Sequence, residues 1–91
     1  MSITQTAILN AIKESKENED KIQITFGVPC YPIRKIGTGM YVEKALDGAY
    51  MVQGKLAVRM ARKLVEDGKL AVKRESAIMS DYLLWVIPTA A

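Results

Sequence analysis

The stretch RMARKLVEDGKLAVKRES, residues 59–76, keeps a helical rhythm up to Gly68 and a two-residue rhythm after it. Upstream of the glycine, Ala57, Ala61 and Leu64 recur at spacings of four and three, and Leu56, Met60 and Val65 widen that apolar face. A helix is therefore predicted over 53–67, with Lys55, Arg59, Arg62 and Lys63 largely off the apolar face. Gly68 stands where a left-handed residue commonly ends a helix. Beyond it Leu70 and Val72 alternate with Ala71 and Lys73, and YLLWVI at 82–87 supplies a second β-like run after the connector AIMS. Two antiparallel strands joined by a short connector follow from this pattern. On the returning strand Leu83, Trp85 and Ile87 share one face and Tyr82, Leu84 and Val86 the other, so both faces are apolar. One face covers the core; the other needs a cover, whether the first helix, an intervening segment or a second copy of the chain in a homodimer.

The same periodicities organise the rest of the chain. Ser2 and Gln5 form a capping-box pair, and Ile3, Ala7, Ile8, Ala11 and Ile12 recur at helical spacing, which predicts a first helix over 3–16. The polar run KENEDK at 16–21 has nothing apolar to bury and reads as an exposed turn. IQITFGV at 22–28 alternates as a strand with one buried face, ended by Pro29 and Pro32. Residues 29–39 read as a loop with room for a short strand at 33–36, and MYVEKALD at 40–47 as a short helix stopped by Gly48.

A chain of 91 residues, 49% of them hydrophobic, is long enough for one small domain. Its net charge of +3 is unevenly placed. Residues 55–74 hold seven basic side chains against two acidic ones, while 1–54 balance and 75–91 are acidic. Such a footprint suits a polyanion; the bland alternative is a solvated helix face followed by a lysine-guarded edge strand. The single cysteine, Cys30, excludes an internal disulfide, and with no histidine it excludes the usual zinc spacings. The default expectation is a soluble protein in a reducing, cytoplasmic setting: the N-terminus lacks a signal-peptide pattern and the longest apolar run is far short of a membrane span.

Ala57, Ala61, Leu64, Gly68 and Leu70, followed by a basic strand and the returning DYLLWVI, resemble the second half of a winged helix-turn-helix domain. The resemblance covers roughly 40–87. It implies an α+β fold of three helices, 3–16, 40–47 and 53–67, with a small antiparallel sheet and a C-terminal hairpin wing at 69–87. Residues 48–53 would be the turn before the recognition helix, and 18–39 an inserted strand and loop segment. The implied function is a stand-alone double-stranded DNA-binding regulator of transcription, of the compact type found in phages, plasmids or archaea.

In that setting Gln53, Lys55, Val58, Arg59 and Arg62 would face base edges in the major groove, since Arg suits guanine, Gln adenine and Val a thymine methyl. Lys63, Lys69, Lys73 and Arg74 would meet phosphates. Taken singly, each has a plainer reading: Arg62 with Glu66 as a helix-surface pair, Lys73 and Arg74 as edge protection. The alternative function is a protein-docking module, in which exposed apolar residues such as Tyr31, Val58 or Met79 carry the contact. No enzyme is expected. Histidine is absent, Cys30 has no imidazole to activate it, GTG at 37–39 lacks the remainder of a nucleotide-binding loop, and the acidic residues near 14–20 have nothing to desolvate them. No cofactor, metal or small-molecule ligand is implied.

Overall fold

Ser2 and Gln5 cap the first helix reciprocally. The Gln5 amide donates to Ser2 Oγ at 3.0 Å, and the Ser2 amide to Gln5 Oε1 at 2.8 Å. In this computed structural model, which describes residues 2–17, 23–25, 28–30, 33–45 and 47–89, helix α1 then runs Ile3–Glu17. Strands β1 (Gln23–Thr25) and β2 (Val28–Cys30) form a small separate hairpin. Strands β3 (Ile33–Gly37), β4 (Met40–Lys44) and β5 (Tyr50–Gln53) lead into helix α2 (Lys55–Glu66), and β6 (Leu70–Glu75) and β7 (Leu83–Pro88) complete the chain. The five strands β3 to β7 make one antiparallel sheet in the order β3-β4-β5-β7-β6.

Both helices cover the same face of this sheet. Ile8, Ala11 and Ile12 of α1 and Ala57, Val58, Ala61 and Leu64 of α2 close over Val42, Tyr50, Val52, Leu70, Leu84 and Val86, all nearly or fully buried. The registers Val42↔Val52, Val52↔Leu84 and Tyr50↔Val86 put these strand residues in rows on one side. The opposite rows, Tyr41, Met51, Leu83, Trp85 and Ile87, are half-buried and carry no helix.

The architecture is α+β, but it is not a winged helix. Residues 40–47 do not form a second helix: Met40–Lys44 is β4, hydrogen-bonded to β3 on one side and β5 on the other. The expected turn at 48–53 contains strand β5, and the hairpin over 69–87 is two strands of the main sheet, not a projecting wing. Nor is 18–39 wholly an insertion, because β3 is an edge strand of that sheet. Helix-forming residues such as Glu43 and Lys44 disguise β4, and sheet neighbours on both sides override that local preference. Pro29 does not end β-structure either; it lies within β2, opposite Ile24. Lys16 and Glu17, expected to begin the polar turn, close α1 instead; the rest of that turn, 18–21, and Phe26 and Tyr31 fall outside the described residues.

Gly68 behaves as its position suggests. It adopts φ 77°, its amide donates to the Val65 carbonyl at 3.0 Å, and the Lys69 amide reaches back to the Leu64 carbonyl at 2.9 Å. Both bonds satisfy carbonyls that the end of α2 would otherwise leave open. Among the described residues no helix is long and apolar enough to cross a membrane.

Candidate nucleic-acid interface

Helix α2 is strongly amphipathic. Its inward side is Ala57, Val58, Ala61 and Leu64, and its outward side presents Lys55, Arg59 and Lys63, all exposed. These three stand at i, i+4 and i+8, so they lie along one line with a rise of about 6 Å between neighbours. No ion pair or hydrogen bond engages their side chains among the described residues. The first turn of α2 holds no acidic residue, and Gly54 at its N-cap offers no side-chain cap. The positive end of the helix dipole therefore adds to the charge of Lys55.

The other predicted contact residues divide by what already occupies them. Arg62 is engaged within the molecule: Nη1 lies 2.6 Å from Glu75 Oε1, and Nη2 donates to the Ser80 carbonyl at 3.3 Å. Its partner is thus Glu75 across the fold, not Glu66 along the helix. Arg74 lies on the helix-free face, 2.7 Å from Asp47 Oδ2 and with its guanidinium 4.8 Å from the centre of the Trp85 ring. Lys73 is exposed at a β-bulge of edge strand β6, between Val72 and Arg74, the position where a lysine guards an open strand edge. Lys69 is exposed just past Gly68.

Two assignments fail on position. Gln53 is the last residue of β5 and not part of the helix, because Gly54, at φ 113° and ψ 140°, prevents α2 from extending back to it. Val58 is 2% exposed, packed in the core, so it offers nothing to a thymine methyl or to a docking partner. The inward face of α2 is turned towards Val58 and away from Leu56, which is 43% exposed.

Beside the cationic line lies the connector after β6, in which the sequence pointed only to Met79. The β6–β7 loop, residues 76–82, is fastened to α2 at its root. The Gly54 amide donates to the Tyr82 carbonyl at 2.9 Å, Arg62 holds the Ser80 carbonyl, and Asp81 lines a shallow depression with Lys55, Val58, Arg59 and Arg62. A legible signal was present: Ile78 and Met79 are two consecutive apolar residues inside a polar connector. No group of His, Cys, Asp and Glu suited to a metal ion occurs among the described residues.

Fold and surface together define a two-layer α+β domain with one cationic helix face. Compared with protein-family models, curated proteins and solved structures, the chain matches none.

Proposed function

We propose that this protein binds double-stranded DNA through the outward face of α2, with Lys55, Arg59 and Lys63 neutralising backbone phosphates. The observation that supports the reading most directly is the line of three cations at i, i+4 and i+8, unpaired among the described residues, next to a helix N-terminus with no side-chain cap. Cations spaced along a rigid helix suit a ligand with regularly repeated negative charge.

The layout favours backbone contact over deep reading of base edges. α2 lies in a layer with α1 on the sheet and does not stand clear of its neighbours, so a broad surface meets the duplex. Affinity then comes from counterion release and is nearly independent of sequence. Occupying DNA in this way is compatible with a role in transcriptional control, and the binding itself is the first thing to test.

The test is fluorescence anisotropy with a labelled random 30-base-pair duplex at two salt concentrations. Three phosphate contacts give a log–log salt slope of about −2.7, which weakens binding about 40-fold between 50 and 200 mM salt. The triple variant Lys55→Ala/Arg59→Ala/Lys63→Ala should lose most of that slope and bind unrelated sequences equally weakly. A triple variant that binds like the parent, or a parent that binds no duplex at low salt, refutes the reading.

A further inference from the structure

Arg34 is half-buried and poorly supplied with acceptors. It stands on edge strand β3 opposite Val42, so its side chain turns to the helix-covered side of the sheet, where Nη1 lies 3.5 Å from Glu14 Oε2 of α1. That is a long ion pair. Arg62 and Arg74 hold their carboxylates at 2.6 and 2.7 Å, and each has a second contact besides. A guanidinium has five N–H donors, yet among the described residues Glu14 is the one partner Arg34 finds, and its Nε is buried with no acceptor. A buried donor without an acceptor is costly, so this guanidinium gains by turning to a carboxylate brought within reach. There is room for one. α1 and β3 border a cleft of about 530 Å³, with Ala7, Asn10, Ala11 and Glu14 on the helix side and residues 33–36 on the strand side.

We infer that this cleft binds a small aliphatic monocarboxylate, its carboxylate held by Arg34 and its alkyl chain lying along Ala7, Ala11, Ile33 and Ile36. All five residues line the same cleft. Its volume falls within the range of small-molecule sites, and its walls have the usual composition of such sites, aliphatic with a few polar groups. Charge selects the anion. The cations Arg34 and Lys35 against the single carboxylate of Glu14 leave one net positive charge on the lining, which one carboxylate neutralises. A phosphate group, at −1.5 to −2 near neutral pH, would bring surplus negative charge up to Glu14. With five donors, the guanidinium can keep Glu14 and still take a second carboxylate. Asn10 is exposed and engages no hydrogen bond among the described residues, so its amide is free to donate to the ligand's other oxygen. The cleft has no residue in common with α2 or with the depression beside its cations, and the assignment stands independently of the nucleic-acid reading.

The experiment titrates the full ¹⁵N-labelled chain with butanoate, hexanoate and octanoate, and with hexylamine and inorganic phosphate as comparisons, while amide shifts are followed by NMR. The expected result is saturable movement of the Ala7, Asn10, Arg34 and Ile36 amides with the acids. Affinity should rise roughly two- to four-fold per added methylene, as partial to full burial of the chain requires. Arg34→Met, which keeps the length of the side chain and removes its donors, should weaken hexanoate on the order of 10-fold or more. Ala7→Leu fills the cleft from a half-exposed helix position without altering charge, and should abolish binding of octanoate even if Arg34→Met does not fold, which circular dichroism decides. Cleft amides that do not move at millimolar hexanoate overturn the inference. So does phosphate binding as tightly as hexanoate, which would mark a general attraction for anions, or an affinity that does not change with chain length. Hexylamine moving the same amides, or hexanoate binding that survives Ala7→Leu, places the ligand elsewhere and overturns it as well.

Discussion

Gly54 joins the sheet to the helix, and replacing it with alanine should be among the most damaging single-methyl additions this chain can receive. Its backbone sits at φ 113° and ψ 140°, a conformation that L side chains rarely adopt. A Cβ placed there would lie 2.5 Å from the Gly39 carbonyl oxygen and 3.2 Å from Met40 Cα. Neither neighbour can retreat easily, because Met40 opens β4 and Tyr41, next in line, is paired with Gln53. Gly48 provides the comparison: φ is 87°, yet a Cβ there would meet nothing within 4 Å. Gly48→Ala should therefore cost about 1–2 kcal/mol from backbone strain alone. Gly54→Ala adds the displacement of packed backbone, for a total of roughly 3–5 kcal/mol. For a domain whose whole stability is near the low end of about 5–15 kcal/mol, most of the folding free energy is at stake. Urea denaturation followed by Trp85 fluorescence, with thermal melts in parallel, measures both variants. A gap of about 2 kcal/mol corresponds to a melting temperature roughly 8–16 °C lower for Gly54→Ala than for Gly48→Ala. If the two variants unfold within about 0.5 kcal/mol of each other, the close approach of Gly54 to the β3–β4 turn is not as described, and the argument for a fixed start to α2 goes with it.

Three further outcomes follow from named contacts. Leu64→Ala, at a fully buried position between α2 and the sheet, should lower the urea-derived stability by about 2–5 kcal/mol with little change in residual salt-dependent binding. Arg74→Met should shift Trp85 emission, since the guanidinium leaves the ring face. Its effect on stability should stay within about 1 kcal/mol because both ends of the Arg74–Asp47 pair are solvent-accessible, and a double-mutant cycle with Asp47→Asn gives the coupling. Asp81→Asn removes the carboxylate beside Lys55 and Arg59 and should tighten duplex binding about two- to five-fold at low salt; unchanged or weaker binding would place the duplex elsewhere.

The candidate interface was half legible before any coordinates. The excess of positive charge in 55–74 is visible in the sequence, and Lys55, Arg59 and Lys63 do stand together on an exposed helix face. What the pattern conceals is occupancy. Arg62 and Arg74 look like the other cations until the fold brings Glu75, Asp47 and Trp85 to them from 13, 27 and 11 positions away. Val58 misleads for a related reason: on a helix whose apolar residues spread over several columns, the side that faces the sheet is chosen by the sheet. The resemblance to a winged helix failed over 40–47 and 48–53, where eight and six residues are too few for periodicity to separate a helix or turn from the strands β4 and β5.

Sequence alone determined the elements whose causes are local. The capping box at Ser2 and Gln5, the amphipathic run of α2, the glycine stop at 68 and the alternating residues of β6 and β7 each need only neighbours a few positions away or across one hairpin. The tertiary structure decided the rest, because a short strand is defined by the partners it finds. β5 pairs with β7 some thirty residues later in the chain and with β4 on its other side, and these pairings make strands of 40–44 and 50–53 and close the sheet under both helices. The same long-range closure seats the 76–82 loop against α2, placing Asp81 beside Arg62, Arg59 and Lys55, which lie 19, 22 and 26 residues earlier in the sequence.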